Sequence, residues 1–192
     1  MFEPRVAAAS LSGQSDADWA RATSPHVGAA ILGGIALDDA AREAAREMVI
    51  DRDREEFLPD DPFAFIDDQL AALADVPLRP GFNVRSSTVE PVRTAATICR
   101  KHGAFLEVNA HCRQEELCAV GCGETLLADT DRLAEFVQTA AETGVDVSVK
   151  VRTEVPGVDL IETAHAVAAA GAAAIHVDAM DSEPVVAAVV DA

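Results

Sequence analysis

The residues best equipped for chemistry are crowded into one stretch, FLEVNAHCRQEELCAVGCGETLL, from Phe105 to Leu127. His111, Cys112, Cys118 and Cys122 fall within twelve positions of one another. A thiol can serve as a nucleophile or proton donor, and His and Cys together can ligate a metal. The C-x5-C-x3-C spacing fits no familiar zinc or iron–sulfur pattern, so no metal is expected. Cys112 stands where a buried strand breaks into a loop, which makes it the candidate catalytic residue. Cys118 and Cys122 read as structural thiols lining that loop. Cys99 falls on the apolar face of a predicted helix and reads as a small core residue. Four cysteines in a chain with no secretion signal do not suggest a disulfide scaffold.

Lys150 is the next signal. The chain has only two lysines, and this one sits inside the apolar run Val147–Arg152. A lysine buried there needs a partner or a ligand. His176 lies in a second apolar run, where a hydrogen-bonded core histidine and a ligand contact are both open. Polar residues recur where strands should end: Ser10, Asn83, Asn109, Lys150 and His176. Arg152 reads either as a substrate contact or as an ordinary strand-end charge.

The elements that must position these groups alternate strand, loop and helix six times. Strands are expected near 5–9, 26–32, 82–85, 105–108, 147–152 and 174–178. Helices are expected to start at Asp16, after Asp38 and at Phe63, then at Glu90, after Asp129 or Thr130, near Leu160 and at Pro184. Gly33-Gly34 is read as closing the second strand, and the acidic run from Asp51 to Pro62 as solvated surface. Such alternation calls for a parallel sheet with right-handed crossovers. No G-x-G-x-x-G follows the first strand, which weighs against an open dinucleotide-binding sheet. Polar groups at the ends of several strands favour one rim of an α/β (β/α)8 TIM barrel, with only six βα units in residues 1–192. The chain is expected to form a single domain, incomplete as a barrel.

The formal net charge is −18, from 33 acidic and 15 basic residues. With lysine so scarce, this composition suits a halophilic protein in a very salty cytoplasm, where dense negative charge is screened. It removes the usual basic footprint of a nucleic-acid binder, although phosphate attraction is weak in high salt in any case. No apolar run of about 18 residues appears, so no membrane partner is expected and the location is read as cytoplasmic.

Asn109-Ala110-His111-Cys112, followed by Gly121-x-Gly123 and Leu126-Leu127, resembles the N-x-G-C-P loop and G-x-G-x-x-L-L tail of the tRNA-dihydrouridine synthases. Ala9 to Asp16, Asn83 to Glu90, Val149 to Arg152 and Ile175-His176 resemble four further motifs of that family, in the same order. The resemblance spans nearly the whole chain. It implies an FMN-dependent barrel reducing the 5,6 double bond of uracil, most readily in tRNA, with NADPH or NADH as electron donor. Cys112 would be the general acid; Ser10, Asn83, Lys150 and His176 would hold the flavin; Asn109 and Arg152 would contact the substrate. A flavin oxidoreductase for a free pyrimidine is the alternative within the enzyme class. A non-catalytic barrel binding RNA or a protein partner is the alternative outside it. His111 and Arg113 replace the loop glycine and proline, and Asp178 stands where the family has arginine.

Overall fold

The computed structural model describes residues 2–52, 55–179 and 182–192. Six parallel strands pair in chain order, β1 to β6, in one curled sheet with the form of a partial barrel. They are β1 (Ala7–Ala8), β2 (Ala29–Ala36), β3 (Arg79–Arg85), β4 (Phe105–Asn109), β5 (Val147–Arg152) and β6 (Ala174–Asp178). Parallel neighbours in sequence order require a crossover between every pair, and helices supply them. These are α1 (Ala17–Thr23), α2 (Asp39–Arg52), α3 (Pro62–Ala71), α4 (Val89–Lys101), α5 (Glu115–Ala119), α6 (Glu124–Leu127), α7 (Thr130–Ala141), α8 (Leu160–Ala169) and α9 (Glu183–Asp191).

Short acidic side chains set the helix starts. Asp16, Asp61, Asp129 and Asp159 each accept a hydrogen bond from a backbone N–H in the first turn of their helix, as an N-cap does. The outer faces of β2 to β5 then meet the helices in one core that includes Leu32, Ile66, Leu70, Phe82, Leu106, Phe136 and Val149. Phe82 is fully buried and meets Phe65 edge-on, with ring centroids 6.4 Å apart.

β2 departs from expectation. Rather than closing at Gly33-Gly34, the strand runs through them to Ala36, with a register shift against β3 between Gly33 and Ile35. The glycines let β3 approach closely. A Cβ on Gly33 would lie 2.6 Å from the Asn83 carbonyl oxygen, and one on Gly34 would lie 2.6 Å from Asn83 Oδ1. Gly33 also has φ +90, a region side chains rarely adopt.

The acidic run from Asp51 to Pro62 also departs. Asp53 and Arg54 lie outside the described residues, but Phe57 bridges to Ile35 of β2 and Glu56 turns inward. Glu56 is paired with Arg85, and both side chains are almost wholly buried. Residues 55–61 thus form a strap against the carboxyl ends of β2 and β3 and are only partly solvated surface. No helix among the described residues is long and apolar enough to cross a membrane.

Candidate functional site

Parallel pairing fixes which residues share the concave face. Asn83 of β3 stands opposite Glu107 of β4, and Glu107 opposite Ser148 of β5. One step up, Asn109 stands opposite Lys150, and Lys150 opposite His176 of β6; Arg152 and Asp178 pair one step further up. Alternation along each strand puts these residues on one side of the sheet.

At the strands' carboxyl ends is a rim cavity of about 510 Å³. Five of the seven expected site residues line it: Ser10, Asn109, Cys112, Lys150 and Arg152. The other two do not: Asn83 sits one row lower, and His176, opposite Lys150 in register, lines a separate lumen cavity of about 580 Å³. Glu107, fully buried, joins the two. Asn83 Nδ2 donates to Glu107 Oε1 at 2.8 Å, and His176 Nδ1 is 2.9 Å from Glu107 Oε2. Ser148 Oγ donates to the same Oε2 at 3.4 Å. Asn109 Nδ2 then donates to Asn83 Oδ1 at 2.9 Å, and Asn109 Oδ1 accepts from the backbone N–H groups of His111 and Cys112. A continuous chain of hydrogen bonds thus runs from the lumen to the cysteine loop.

The loop is fixed from its other end by Gly123. At φ +61 it brings the following turn so close that a Cβ there would lie 2.1 Å from the Cys112 carbonyl oxygen. That approach lets Glu124 N–H donate to the same oxygen at 2.7 Å. Arg132 ties the loop to its neighbour, donating to the carbonyls of Gly121 and Ser87.

Cys112 is buried, and its environment is unlike that of the other thiols. Burial pushes the thiol up, but the adjacent Arg85 guanidinium and a hydrogen bond with His111 outweigh it, leaving the pKa at about 7. Burial alone dominates at Cys99 and Cys122, which are raised to about 12, and it also raises Cys118. Burial opposes the charge on Arg85, yet Cys112 and Glu56 beside it hold the guanidinium protonated, above its ordinary value. Arg85 also donates to Ser12 Oγ at 2.9 Å, while its buried Nε has no partner among the described residues. His111 Nε2 is 2.6 Å from Asp178 Oδ2, and this bond holds the Asp178 carboxyl below its ordinary range despite partial burial.

Lys150 is 8% exposed, and no hydrogen bond or ion pair engages its ammonium among the described residues. A cation so placed costs free energy unless an anion meets it; the nearby Asp178 carboxylate feels its charge without forming an ion pair with it. Arg152 is paired only loosely, 3.5 Å from Glu154. Sequence reasoning did not assign roles to Arg85, Glu56, Glu107 or Asp178. Glu107 carried a usable signal, an acidic residue in the middle of FLEVN; Glu56 was one acid among many. The described residues contain no group of three or more His, Cys, Asp or Glu side chains arranged to hold a metal ion.

No protein-family profile matches the chain. An uncharacterized protein of Methanocaldococcus jannaschii is 27% identical over 164 residues, covering 84% of this chain and 63% of that protein. Among solved structures, 2,3-dimethylmalate lyase, a PEP mutase/isocitrate lyase superfamily member, superposes with a TM-score of 0.61 at 12% identity. That match covers 97% of this chain and 62% of the lyase. The chain therefore spans less than two thirds of both proteins. The lyase match and the curled six-stranded parallel sheet are those of a TIM-barrel-like α/β fold.

The match corrects the functional expectation. The structural neighbour is a lyase, not a dihydrouridine synthase. The resemblance to that family, the flavin-dependent reduction of uracil in tRNA or as a free pyrimidine, and FMN with NADPH or NADH are set aside, as is the non-catalytic barrel. The site shows why the motif resemblance misled. The Asn83 amide, expected at a flavin edge, has its oxygen and its nitrogen engaged by Asn109 and Glu107. The motif order follows from strand ends that any barrel of this kind must fill with polar residues.

Proposed function

We propose that the rim cavity binds a small carboxylate-bearing molecule and that Cys112 transfers a proton at the carbon next to that carboxylate, in a lyase-type reaction. The observation that carries this reading is Lys150: a buried ammonium with no hydrogen bond or ion pair among the described residues, near enough to Asp178 to lower its pKa, on the same 510 Å³ cavity as a thiol whose pKa is about 7. Arg85, Arg113 and Arg152 line that cavity too, against the carboxylates of Glu154 and Asp178, so a chain of net charge −18 gathers an excess of cations where an anion would enter. The structural neighbour supports the class, since 2,3-dimethylmalate lyase acts by name on a dicarboxylate. On this reading the six strands are the first six units of an eight-stranded barrel, whose carboxyl-end rim is where such folds place their chemistry.

The roles follow from charge and reach. Lys150 neutralises the carboxylate and stabilises the negative charge that develops on its oxygens when the neighbouring carbon becomes an enolate. Cys112 gives a proton to that carbon or takes one from it. A pKa near neutrality makes both directions accessible. Arg85 keeps the thiolate form available, and the His111–Asp178 pair holds the imidazole that bonds to the thiol.

Calorimetric titration with malonate tests the binding half. Saturable binding that is lost in Lys150→Met, with the fold intact by circular dichroism, is the expected result. Equal binding by the two proteins, or none by the wild type, would overturn the assignment.

A further inference from the structure

The cysteine loop holds three thiols, and proton transfer at a carbon uses only one of them. Cys112 lines the rim cavity, although it is buried. Cys122 is enclosed and packs with Cys112 and Leu117 in a small apolar cluster. Cys118 is half-buried on the five-residue helix α5, and its Sγ donates to the Cys112 carbonyl oxygen at 3.6 Å. One sulfur therefore already touches the main chain of the other cysteine.

The segment between them is lightly held. No side chain caps the start of α5, and the buried Gln114 Oε1 just before it has no partner among the described residues. A single short turn begun in this way can shift at low cost. A disulfide asks for Cα atoms about 6 Å apart.

Arg85 supplies the second observation. Its Nη1 donates to Glu56 and its Nη2 to Ser12, which fix the guanidinium on the cavity wall. Its Nε is buried and left without a partner among the described residues. A proton carrier for a carbon does not need that free donor. A thiolate attacking an oxygen–oxygen bond does, because negative charge builds on the departing oxygen.

We infer that Cys112 and Cys118 form a peroxide-reactive dithiol, in which a small peroxide oxidises Cys112 and Cys118 closes the product into a disulfide. Thiolate is available at Cys112 near neutrality, where its pKa is about 7. Cys122, pushed up to about 12, has almost none with which to attack. That leaves the half-buried Cys118 as the resolving thiol.

The electrons balance with the peroxide as oxidant. The Cys112 thiolate attacks one peroxide oxygen; an S–O bond forms, the O–O bond breaks, and the departing oxygen takes up the proton the thiol had released. The product is a sulfenic acid. The Cys118 sulfur then attacks the Cys112 sulfur; the S–S bond forms, the S–O bond breaks, and hydroxide leaves with the Cys118 proton as water. A dithiol reductant returns both thiols. The reaction is read from thiols alone, so it stands or falls apart from the carboxylate reading.

The test treats the reduced, folded protein with one equivalent of hydrogen peroxide at pH 7. Wild type, Cys118→Ser and Cys122→Ser are compared by non-reducing peptide mapping. Wild type and Cys122→Ser should each yield a Cys112–Cys118 bridge within one chain, and dithiothreitol should restore the free thiols. Cys118→Ser should form no bridge and should instead carry a sulfenic acid on Cys112, captured by dimedone. Cys112 should also react faster than free cysteine, since more of it is thiolate at pH 7. A Cys112–Cys122 bridge, a bridge only between chains, or Cys112 oxidised with no bridge in the wild type would overturn the role of Cys118. Failure of Cys112 to react, or reaction no faster than free cysteine, would overturn the peroxide-reactive site itself.

Discussion

At the scale of single residues, the charged neighbours of each thiol decide what it can do. Cys112 and Cys122 are both buried, yet the first is held down at about 7 and the second is pushed up to about 12. Arg85 and His111 make the difference at Cys112. The alkylation rate of Cys112 should therefore rise with pH through a midpoint near 7. Because the folded-state value is depressed, the thiolate is already present at neutrality, where an ordinary thiol would be protonated. Arg85→Gln should move the midpoint upward by more than one pH unit. An unchanged midpoint would remove Arg85 from the account. Cys112 and Lys150 were legible from residue type and position alone. Arg85 and Glu56 were not, because a buried ion pair between a strand and a distant strap leaves no trace in local spacing.

At the scale of elements, Asp38 ties the start of α2 to the turn after β3. Its carboxylate accepts from Ala41 N–H and from Ser86 Oγ, Ser87 N–H and Ser87 Oγ. Burial raises its pKa, but the Ser87 and Ser86 hydrogen bonds prevail and hold it below the ordinary value. A depressed carboxylate stabilises the fold above its ordinary pKa and loses that contribution as pH falls through the lowered one. Asp38→Ala should thus cost about 2 kcal/mol at neutral pH in denaturant unfolding, with the difference narrowing below about pH 4. A constant difference across that range would contradict the assignment. Gly33→Ala should cost at least about 2 kcal/mol, from positive φ and contact with the Asn83 carbonyl. A neutral substitution would show that β2 can move away from β3. β5 and β6 were legible to the residue, because β-branched apolar runs bounded by turns have few other readings. β2 was misjudged at its end because Gly-Gly usually punctuates a strand, whereas here it admits the polar side chains of β3.

At the scale of the whole molecule, charge and topology pull on different properties. The net charge of −18 repels itself in the compact state, and salt screens that repulsion. The thermal midpoint should rise from low salt to molar potassium chloride; a flat or falling midpoint would show that the acidic surface is not an adaptation to salt. The parallel order of six strands was legible from six alternations of strand and helix. The chemistry was not legible at this scale. A barrel rim gathers polar strand ends whatever the reaction, so motifs in the right order indicated the fold and overstated the family.

The central claim is that Cys112 moves a proton at the carbon beside a carboxylate held on the rim. The direct test is exchange of the carbon-bound hydrogens of succinate for deuterium in heavy water near neutral pH, followed by proton NMR. The wild type should catalyse exchange, Cys112→Ser should lose at least about a hundredfold in rate, and Lys150→Met should lose it through weaker binding. Absence of exchange with the wild type, or equal exchange with Cys112→Ser, would contradict the account.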